Sequence, residues 1–545
     1  MMLPMPLGVV PILVNVGAAL LPAIVAGVSS AAALLFRPRE LARAVRQNPV
    51  RALIVLLVLS AAGVGTWAGV KYWPAPEDPT KTAPKPGTVE AIDWSRVAVQ
   101  FLRFEELHAL GGHDGATRAT RPAEAVIYRQ NASRSGYAGG KSPTELMDLW
   151  SHREEPGAMH LSSPAVAGEW VYAASCVLDP PSNYGSAFCL NAKTGKVRWT
   201  KDYPKDPATG KEVELKGFFS SPAVTADGKY VVFGQGLHVD RDCSLLCFDA
   251  ETGDLKWRVK TSLHLESSPA IHGDMVVIGA GAVEDEHMKP IGDPGFVLAV
   301  QISTGEVLWR HAVNDPESSP AIGADGTVYV GAGFNGSAVI ALRPETDEQL
   351  KAKGQKRELW SSPTPFPAVG AITLTKNEVI MGCGNGNYVY ADPNPAGAVL
   401  AFDRQTGKKL WEVRFPDAVL GAVAVRDDVA ICGVRNGEVV ALDLEKVRAG
   451  KTDEQVLWRV RVSERTPILS SPAFTGEFVY ALSADGYLGV IRASDGKLIE
   501  KHYTNDEAKP GEMGLTVSSP TVANGRIYVG TETGGLRCLA GRKLQ

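Results

Sequence analysis

Two long apolar runs lie near the start of the chain. The first extends from Leu7 to Phe36 without a charged side chain, and the second covers residues 52–73 and ends in Lys-Tyr-Trp. About 20 apolar residues are enough to cross a bilayer as a helix, and aromatic residues favour its interfaces. The pattern predicts two transmembrane helices, at about residues 7–36 and 52–73, within a membrane anchor that covers residues 1–73.

An arginine-rich segment separates the two runs. Residues 37–51 contain five arginines and one glutamate. Cytoplasmic loops carry such a basic excess, so the pattern places this loop in the cytoplasm and everything after residue 71 outside it. Two alternatives stay open. In the first alternative, the start of the chain is a cleaved signal peptide. In the second, the first run, which contains Pro11 and Pro22, enters the bilayer without crossing it.

Two segments of different character follow the apolar runs. Residues 74–91 are rich in Pro, Lys and Thr, which is typical of an extended linker. Residues 92–143 form a lead-in in which apolar residues recur every three or four positions over 92–110, so we expect a short amphipathic helix there. That helix either packs on the following domain or binds a partner, and the spacing favours packing.

From residue 161 onwards the chain repeats itself. A Ser-Ser-Pro sequence followed by a short apolar run begins at residues 162, 220, 267, 318, 470 and 518. Two sequences without Ser and Pro, VGAI at 369 and LGAV at 420, fill the remaining gaps, and the spacing averages roughly 51 residues. Within each copy, β-branched and aromatic runs alternate with glycine turns, which predicts four short strands per copy.

The last predicted strand of most copies carries a tryptophan. Four copies read Thr-Gly followed four residues after the glycine by Trp, and two others reach a Trp after a longer turn. A large indole at a regular position can fill the space between neighbouring sheets. We expect this blade-docking role for Trp150, Trp199, Trp257, Trp309, Trp360, Trp411 and Trp458. The seventh copy is expected to have Ile499 at this position.

The eighth copy ends before its fourth strand. Residues 144–153, which contain Trp150 and precede the first copy, can supply that strand and close a ring without an open edge. The repeats therefore predict an all-β fold, an eight-bladed β-propeller of four-stranded blades, over residues 144–545.

Charge and cysteine content narrow the possible functions. The chain has 56 basic and 60 acidic residues, a net charge of −4, so it lacks the basic excess of a nucleic-acid-binding protein. Seven cysteines in 545 residues are too few for a disulfide scaffold. Cys189, Cys247 and Cys538 occupy the position that alanine fills in other copies, which favours small buried residues over redox or metal ligands.

One position in the repeat carries candidate chemistry. The residue before each Ser-Ser-Pro is glutamate in two adjacent copies, Glu266 and Glu317, and it faces the axis of a propeller. Carboxylate oxygens suit Ca²⁺ or a cationic group of a partner, so these two residues are the candidate metal ligands. The alternative is that both carboxylates are simply hydrated at the solvent-exposed rim of the axial channel. The equivalent residues elsewhere are expected to be Leu161, Phe219, Ala368, Val419, Leu469 and Val517. Such a wall, apolar on one side and polar on the other, is typical of a peptide-binding groove.

The histidines show no metal-binding spacing. We expect surface or loop positions, scattered over different parts of the repeat, for His238, His264, His272, His287 and His311.

The DxxTGxxxW turns and the Ser-Ser-Pro strands resemble the pyrroloquinoline-quinone (PQQ)-like repeat propellers. That family includes quinoprotein alcohol dehydrogenases and the assembly lipoprotein BamB, and the segment YRQNASRSGY (128–137) resembles the lead-in of BamB-like members. The resemblance implies either a scaffold or a PQQ enzyme. In the enzymes it implies PQQ held between a Trp and a disulfide of adjacent cysteines, with Ca²⁺ bound by Glu, Asn and Asp. This sequence has no adjacent Cys pair and no CxxCH haem motif.

The sequence therefore favours a non-catalytic scaffold over an enzyme. We expect a propeller tethered to the cytoplasmic membrane, facing the periplasm or exterior, that binds protein partners of the cell envelope and no nucleic acid. No cofactor is expected in this interpretation. The alternative is a divergent PQQ- and Ca²⁺-dependent dehydrogenase that uses Glu266 and Glu317. A sensor of a small extracellular ligand ranks last.

Overall fold

The computed structural model of the protein describes residues 125–542, apart from 180–182, 239, 284–290, 335, 465 and 507–513. The predicted transmembrane helices, the linker and the amphipathic helix at 92–110 lie outside these residues. Within the described part of the chain, no helix has the length and apolar character that crossing a bilayer requires.

The first four sheets follow one another along the chain, and each takes four antiparallel strands in sequence order. Their strands are Ala165–Ala167 (β2), Trp170–Ala174 (β3), Ala187–Asn191 (β4) and Val197–Lys201 (β5) in blade one, Ala223–Val224 (β6), Tyr230–Gly234 (β7), Cys243–Asp249 (β8) and Leu255–Thr261 (β9) in blade two, Ala270–His272 (β10), Met275–Ala280 (β11), Phe296–Gln301 (β12) and Val307–Ala312 (β13) in blade three, and Ala321–Ile322 (β14), Val328–Ala332 (β15), Ala338–Leu342 (β16) and Glu358–Pro363 (β17) in blade four.

The next three blades have the same order. Their strands are Thr373–Leu374 (β18), Glu378–Gly384 (β19), Gly397–Asp403 (β20) and Lys409–Phe415 (β21) in blade five, Ala424–Arg426 (β22), Val429–Gly433 (β23), Glu438–Asp443 (β24) and Val456–Arg461 (β25) in blade six, and Ala473–Phe474 (β26), Phe478–Leu482 (β27), Tyr487–Arg492 (β28) and Leu498–Tyr503 (β29) in blade seven.

The eighth blade joins the two ends of the repeat region. Its inner strands are Thr521–Ala523 (β30), Arg526–Gly530 (β31) and Leu536–Gly541 (β32), and its outer strand is Leu146–His152 (β1). Strand β1 is antiparallel to β32, with Trp150 opposite Cys538. The strand that the repeats predict as the missing one thus closes the ring, and the predicted eight-bladed propeller of four-stranded blades is confirmed.

Two short helices interrupt the repeat. Asp347–Lys353 (α1) lies between the third and fourth strands of blade four, and Leu444–Arg448 (α2) lies at the same place in blade six. They fill the two longer turns of the sequence. Thr346 caps α1 by accepting a hydrogen bond from the backbone N–H of Gln349, and Gly354 ends it in the left-handed conformation.

Tryptophans on the outer strands pack against the following blade. Five of them cover a glycine of the next Thr-Gly or Asp-Gly turn, so closely that a Cβ added to that glycine would lie 2.6–2.7 Å from the ring. Each indole N–H also donates to a backbone carbonyl beside the covered turn; that of Trp257 reaches the carbonyl of Ile302 at 2.6 Å. The pairs are Trp150 with Gly195, Trp199 with Gly253, Trp257 with Gly305, Trp360 with Gly407 and Trp458 with Gly496.

The seventh blade differs from the sequence expectation by one position. Glu500 lies opposite Val490, in the register that tryptophan takes in the other blades, whereas Ile499 falls in the bulge and is 39% exposed. The expectation for Ile499 was therefore wrong. Glu500 accepts a hydrogen bond from the backbone N–H of Leu146 at 2.7 Å, so a carboxylate instead of an indole contacts the strand that closes the ring.

The inner turns join neighbouring blades through serine hydroxyls. The N–H of the second Ser in one blade donates to the second Ser hydroxyl of the next, as from Ser163 to Ser221 at 2.9 Å. The same bond links 221 to 268, 268 to 319, 422 to 471, 471 to 519 and 519 to 163. Since Ala422 takes part, the serine positions of blades five and six are Gly370-Ala371 and Gly421-Ala422.

This register also changes which residues of blades five and six face the axis. The residues before the Gly-Ala pairs are Val369 and Leu420, and both line the central cavity. Ala368 and Val419, which the sequence alignment placed there, were wrong by one residue. The match of LGAVAV to LSSPAV, rather than of LGAV to SSPA, carries the correct register.

The lead-in crosses one end of the propeller axis. Its backbone pairs with the first strands of blades two, five, six and seven, for example between Val126 and Val224 at 2.9 Å. Arg134 is fully buried, and its guanidinium donates to the carbonyls of Pro320 at 2.6 Å and Ser268 at 2.9 Å. These bonds hold the lead-in against blades three and four and close that end of the axis.

Candidate functional site

A small cavity lies on the axis of the propeller. The residue before the inner turn of every blade lines it: Leu161, Phe219, Glu266, Glu317, Val369, Leu420, Leu469 and Val517. Tyr128 of the lead-in also lines it, and the cavity volume is about 50 Å³. Among these eight residues the two glutamates lie side by side and the other six are apolar, while serines of the inner turns also line the cavity.

A larger cavity of about 300 Å³ opens at the other end of the axis. We call it the axial mouth; Leu178, Leu237, Phe334, Val389 and Leu515 contribute to its apolar lining.

Tyr388 lines both the axial mouth and the small cavity, which adjoin each other. Its ring packs edge-on against Phe219 at 5.3 Å, and its hydroxyl donates to the carbonyl of Leu420 at 3.3 Å. Burial raises the pKa of Tyr388, so the hydroxyl stays protonated and a donor at neutral pH.

Two histidines and two glutamates meet at the polar side of the mouth. Nδ1 of His238 lies 2.8 Å from a carboxylate oxygen of Glu317 and 3.8 Å from one of Glu266. Nδ1 of His264 lies 3.9 Å from the same oxygen of Glu266. We call these four residues the His-Glu cluster; one potential ligand atom from each lies within 4.8 Å of all the others.

Different elements supply the four side chains. His238 follows β7, His264 follows β9, and the two glutamates precede β10 and β14. Gly281, just after β11, makes room for them, because a Cβ there would lie 2.5 Å from the ring of His264 and 3.0 Å from the side chain of Glu317. Nε2 of His264 lies 2.9 Å from the carbonyl of Ala282, so this nitrogen carries the proton in the neutral ring.

The charges of the cluster follow from its burial. Glu317 raises the pKa of His238 well above its usual range, which makes the exposed histidine a cation at neutral pH. Burial lowers the pKa of His264 and keeps this ring neutral. Burial and the nearby Glu317 raise the pKa of Asp315 to about 7, although this carboxyl accepts N–H bonds from Ala282 and Phe334.

The structure brings together residues that the sequence pattern separated. Glu266 and Glu317 are adjacent, as the repeat alignment predicts. His238 and His264 lie in loops, in agreement with the expectation of surface or loop positions, but His264 is fully buried and the side chain of His238 is only 33% exposed at the mouth. His272 is exposed on blade three, and His287 lies outside the described residues. The only sequence signal for His264 is its place two residues before Glu266.

The described residues on the axis lack two groups that the resemblance implies for a PQQ site, a lining tryptophan and a pair of adjacent cysteines. The cavity beside Glu266 and Glu317 is about 300 Å³ at the axial mouth, which is within the range of small-molecule sites. Among the described residues, no tryptophan lines either cavity. All seven cysteines are buried and free, and burial raises the pKa of the thiols, that of Cys243 to about 12.

Sequence comparisons match the same part of the chain. The model of the family described as outer membrane protein assembly factor BamB matches residues 147–369 and 347–543. The BamB of Burkholderia pseudomallei (strain K96243) is 24% identical over 403 residues, which cover 73% of this chain and 88% of that protein. The dehydrogenase subunit of the quinone alcohol dehydrogenase of Gluconobacter oxydans (strain 621H) is 27% identical over 331 residues, 55% of this chain but only 38% of that subunit.

Solved structures show the same fold. The quinohemoprotein alcohol dehydrogenase ADHIIG of Pseudomonas putida HK5 superimposes with a TM-score of 0.51 at 15% identity, over 78% of this chain and 81% of that one. Because the family model covers well over half of the residues, the chain belongs to the family of the outer membrane protein assembly factor BamB.

Proposed function

We propose that the protein is a non-catalytic β-propeller scaffold that binds protein partners in the cell envelope. The observation that carries this proposal is the apolar rim of the axial mouth. Leu178 and Val389 line the mouth and are 43% and 52% exposed, and Tyr390, which follows Val389 in the same loop, is 71% exposed. Soluble proteins rarely expose such clustered apolar side chains unless they bind a partner.

The rim is held in shape before any partner binds. The loop 385–392 between β19 and β20 carries Val389 and Tyr390, and Arg435 of blade six donates to the carbonyl of Asn387 in this loop at 3.0 Å. Val389 and Tyr390 also donate their N–H groups to the side chain of Asn387. A preorganised loop loses little conformational entropy on binding.

A membrane tether would restrict this surface to the envelope. The apolar runs at residues 7–36 and 52–73, with the arginine-rich segment between them, support an anchor in the cytoplasmic membrane and a propeller on its outer side. The relative from Burkholderia pseudomallei is named as an outer membrane protein assembly factor. That relative supports a partner in envelope assembly.

The second candidate function is a PQQ- and Ca²⁺-dependent dehydrogenase. The relative from Gluconobacter oxydans supports it, since it is 27% identical over 331 residues. The missing adjacent cysteines and, among the described residues, the absence of a tryptophan from both axial cavities count against it. We therefore rank the scaffold first.

Photo-cross-linking in intact cells tests the scaffold. A photoreactive amino acid at Tyr390 of the full-length chain should form a discrete adduct with an envelope protein, which mass spectrometry would identify. The matched control is Val307 on the outer strand of blade three, 47% exposed but away from the mouth. We expect Val389→Asp to abolish the adduct. No adduct at Tyr390, or the same adduct at Val307, would contradict a partner at the mouth.

The tether has its own test. A reporter that is active only in the cytoplasm, inserted after residue 45, should be active, and one inserted after residue 80 should be inactive. The reverse result would overturn the orientation.

A further inference from the structure

We propose that the His-Glu cluster binds one divalent transition-metal ion, with the ligand preference of Zn²⁺, at the axial mouth. The site would use Nδ1 of His238, Nδ1 of His264 and one carboxylate oxygen each from Glu266 and Glu317, and the ion would displace to solvent the proton that His238 carries in the metal-free protein. This inference is independent of the scaffold function, because it rests on the four side chains and not on the apolar rim.

The first argument is the orientation of His264. The ring is fully buried, and its Nε2 is engaged with the carbonyl of Ala282 at 2.9 Å. Nδ1 therefore carries the lone pair, and within the described residues this buried atom has no hydrogen-bond partner. In metal sites, a histidine typically donates the N–H of one ring nitrogen to a carbonyl and binds the ion through the other nitrogen.

The second argument is the spacing of the ligand atoms. A tetrahedral Zn²⁺ with bonds of about 2.0–2.2 Å holds its ligand atoms roughly 3.3–3.6 Å apart. The separations here are 2.8 Å from His238 to Glu317, 3.8 Å from His238 to Glu266 and 3.9 Å from His264 to Glu266. All six separations are within 4.8 Å, so movements of up to roughly 1.5 Å bring the four atoms to tetrahedral spacing around one ion.

The third argument is the choice of ion. Two imidazole nitrogens and two carboxylates match the ligands of Zn²⁺ and related ions, whereas Ca²⁺ takes six to eight oxygens. The two carboxylates balance the double positive charge of such an ion. His238 is 33% exposed at the mouth, which provides access for the ion.

Hydrogen bonds outside the four ligands fix the backbone around the site. Asp315 accepts a hydrogen bond from the N–H of Ala282 at 3.0 Å, and Ala282 in turn offers its carbonyl to His264. Gly281 leaves the space that the ring of His264 and the side chain of Glu317 occupy. These contacts orient His264 and Glu317, and Asp315, Ala282 and Gly281 would not bind the ion themselves.

Metal analysis of the full-length chain tests the proposal. The protein is stripped with a chelator, equilibrated with Zn²⁺ or Ca²⁺ in separate samples, and analysed for bound metal. We expect one Zn²⁺ per chain, little Ca²⁺, and an affinity for Zn²⁺ at least about tenfold weaker in His238→Gln and Glu317→Gln. The matched control is His272→Gln, an exposed histidine of blade three that should bind like the wild type.

A spectroscopic readout separates ligation from structural damage. Co²⁺ in place of Zn²⁺ should give the visible absorption of a tetrahedral site, and His238→Gln should lose it while keeping the wild-type circular dichroism. His238 is the safer variant because it is partly exposed, whereas a change at buried His264 can unfold the blade. Absence of bound Zn²⁺ in the wild type, equal binding in the ligand variants, or preference for Ca²⁺ would overturn the proposal.

Discussion

At the scale of single residues, matched glycines and tryptophans hold the blades together. Gly305 has a φ of +79°, and the ring of Trp257 lies where its Cβ would be, at 2.6 Å. The turn therefore needs glycine for two independent reasons: the left-handed backbone and the contact with the preceding blade. The first reason is visible in the sequence, and the second only in the structure.

A pair of glycine substitutions separates these two reasons. Gly305→Ala should lower the free energy of unfolding by about 2–4 kcal/mol, because backbone strain adds to a clash with the indole. Gly273→Ala, at a φ of +58° with open space around its Cβ position, should cost only about 1 kcal/mol. Urea unfolding of both variants measures the difference. Equal losses would show that the contact with Trp257 contributes nothing.

Residue types could be predicted from the repeat, whereas positions in the divergent copies depend on which residues are aligned. Glu266 and Glu317 follow from alignment to Ser-Ser-Pro. Blades five and six lack that sequence, and their alignment was wrong by one residue, so Val369 and Leu420 were not assigned to the axis. His238 and His264 were missed because they come from two inter-strand loops, whose approach depends on the ring geometry.

Trp411 departs from the other tryptophans, because α2 replaces the short turn of blade six. Its indole N–H donates to the carboxylate of Glu378 at 3.0 Å, and Arg448 of α2 donates to the same carboxylate at 2.7 Å. Burial alone would raise the pKa of Glu378, but the hydrogen bonds from Arg448 and Trp411 outweigh it and lower the pKa below 4.5. The carboxylate thus links blade five to α2.

This link predicts a pH-dependent effect of Glu378→Gln. A folded-state pKa below the unfolded one stabilises the protein above about pH 4.5, and this contribution is lost as the pH falls through the folded-state pKa. The variant should be less stable by about 1–3 kcal/mol at pH 7, since Arg448 is partly exposed, and the difference should shrink on acidification. Urea unfolding at several pH values measures this.

Glu438→Gln provides the control for that series. Its carboxylate lies 3.4 Å from Arg459, whose side chain is 41% exposed, so the change should alter stability by less than about 1 kcal/mol. A loss in Glu378→Gln that persists unchanged in acid would refute the electrostatic explanation.

At the scale of elements, β1 determines whether the ring is closed. The strand pairs only with β32 within its blade, and Glu500 of blade seven holds its first residue, Leu146, by a backbone hydrogen bond at 2.7 Å. Asp148 further along β1 accepts hydrogen bonds from Arg537 at 3.0 Å and His502 at 3.1 Å. Strand β1 is thus tied to blade seven as well as to blade eight.

Removal of the carboxylate should loosen the start of this strand. Glu500→Ala leaves the N–H of Leu146 without its charged acceptor, a loss of about 1.5 kcal/mol, so hydrogen exchange at the start of β1 should accelerate roughly tenfold. The control is Glu306→Ala, which changes an exposed glutamate in the turn just before β13 of blade three and should leave hydrogen exchange in β1 unchanged. Unchanged exchange in Glu500→Ala would contradict this role.

The strands were predictable because their alternation repeats eight times, and the closing strand because the eighth copy lacks one. The helices α1 and α2 were not, since the sequence showed only that the two turns were longer. Each has fewer than eight residues, too short for a periodic apolar pattern.

At the scale of the whole molecule, the propeller is sealed at one end and open at the other. Arg134 and Tyr128 of the lead-in close one end of the axis, while the apolar rim with Val389 and Tyr390 surrounds the open mouth. A partner that binds on the axis would therefore reach the protein at the open mouth. The same architecture in quinoprotein dehydrogenases shows that the fold alone does not decide the function.

The central claim is that this propeller is a scaffold and not a quinone enzyme, and a PQQ titration of the full-length chain in the presence of Ca²⁺ tests it most directly. Cofactor absorbance and dye-linked oxidation of a panel of alcohols and sugars would be followed together. The account predicts no saturable binding and no turnover, because the sequence has no adjacent Cys pair and no tryptophan among the described residues lines either axial cavity. Saturable binding with turnover would contradict the account and identify the protein as a dehydrogenase.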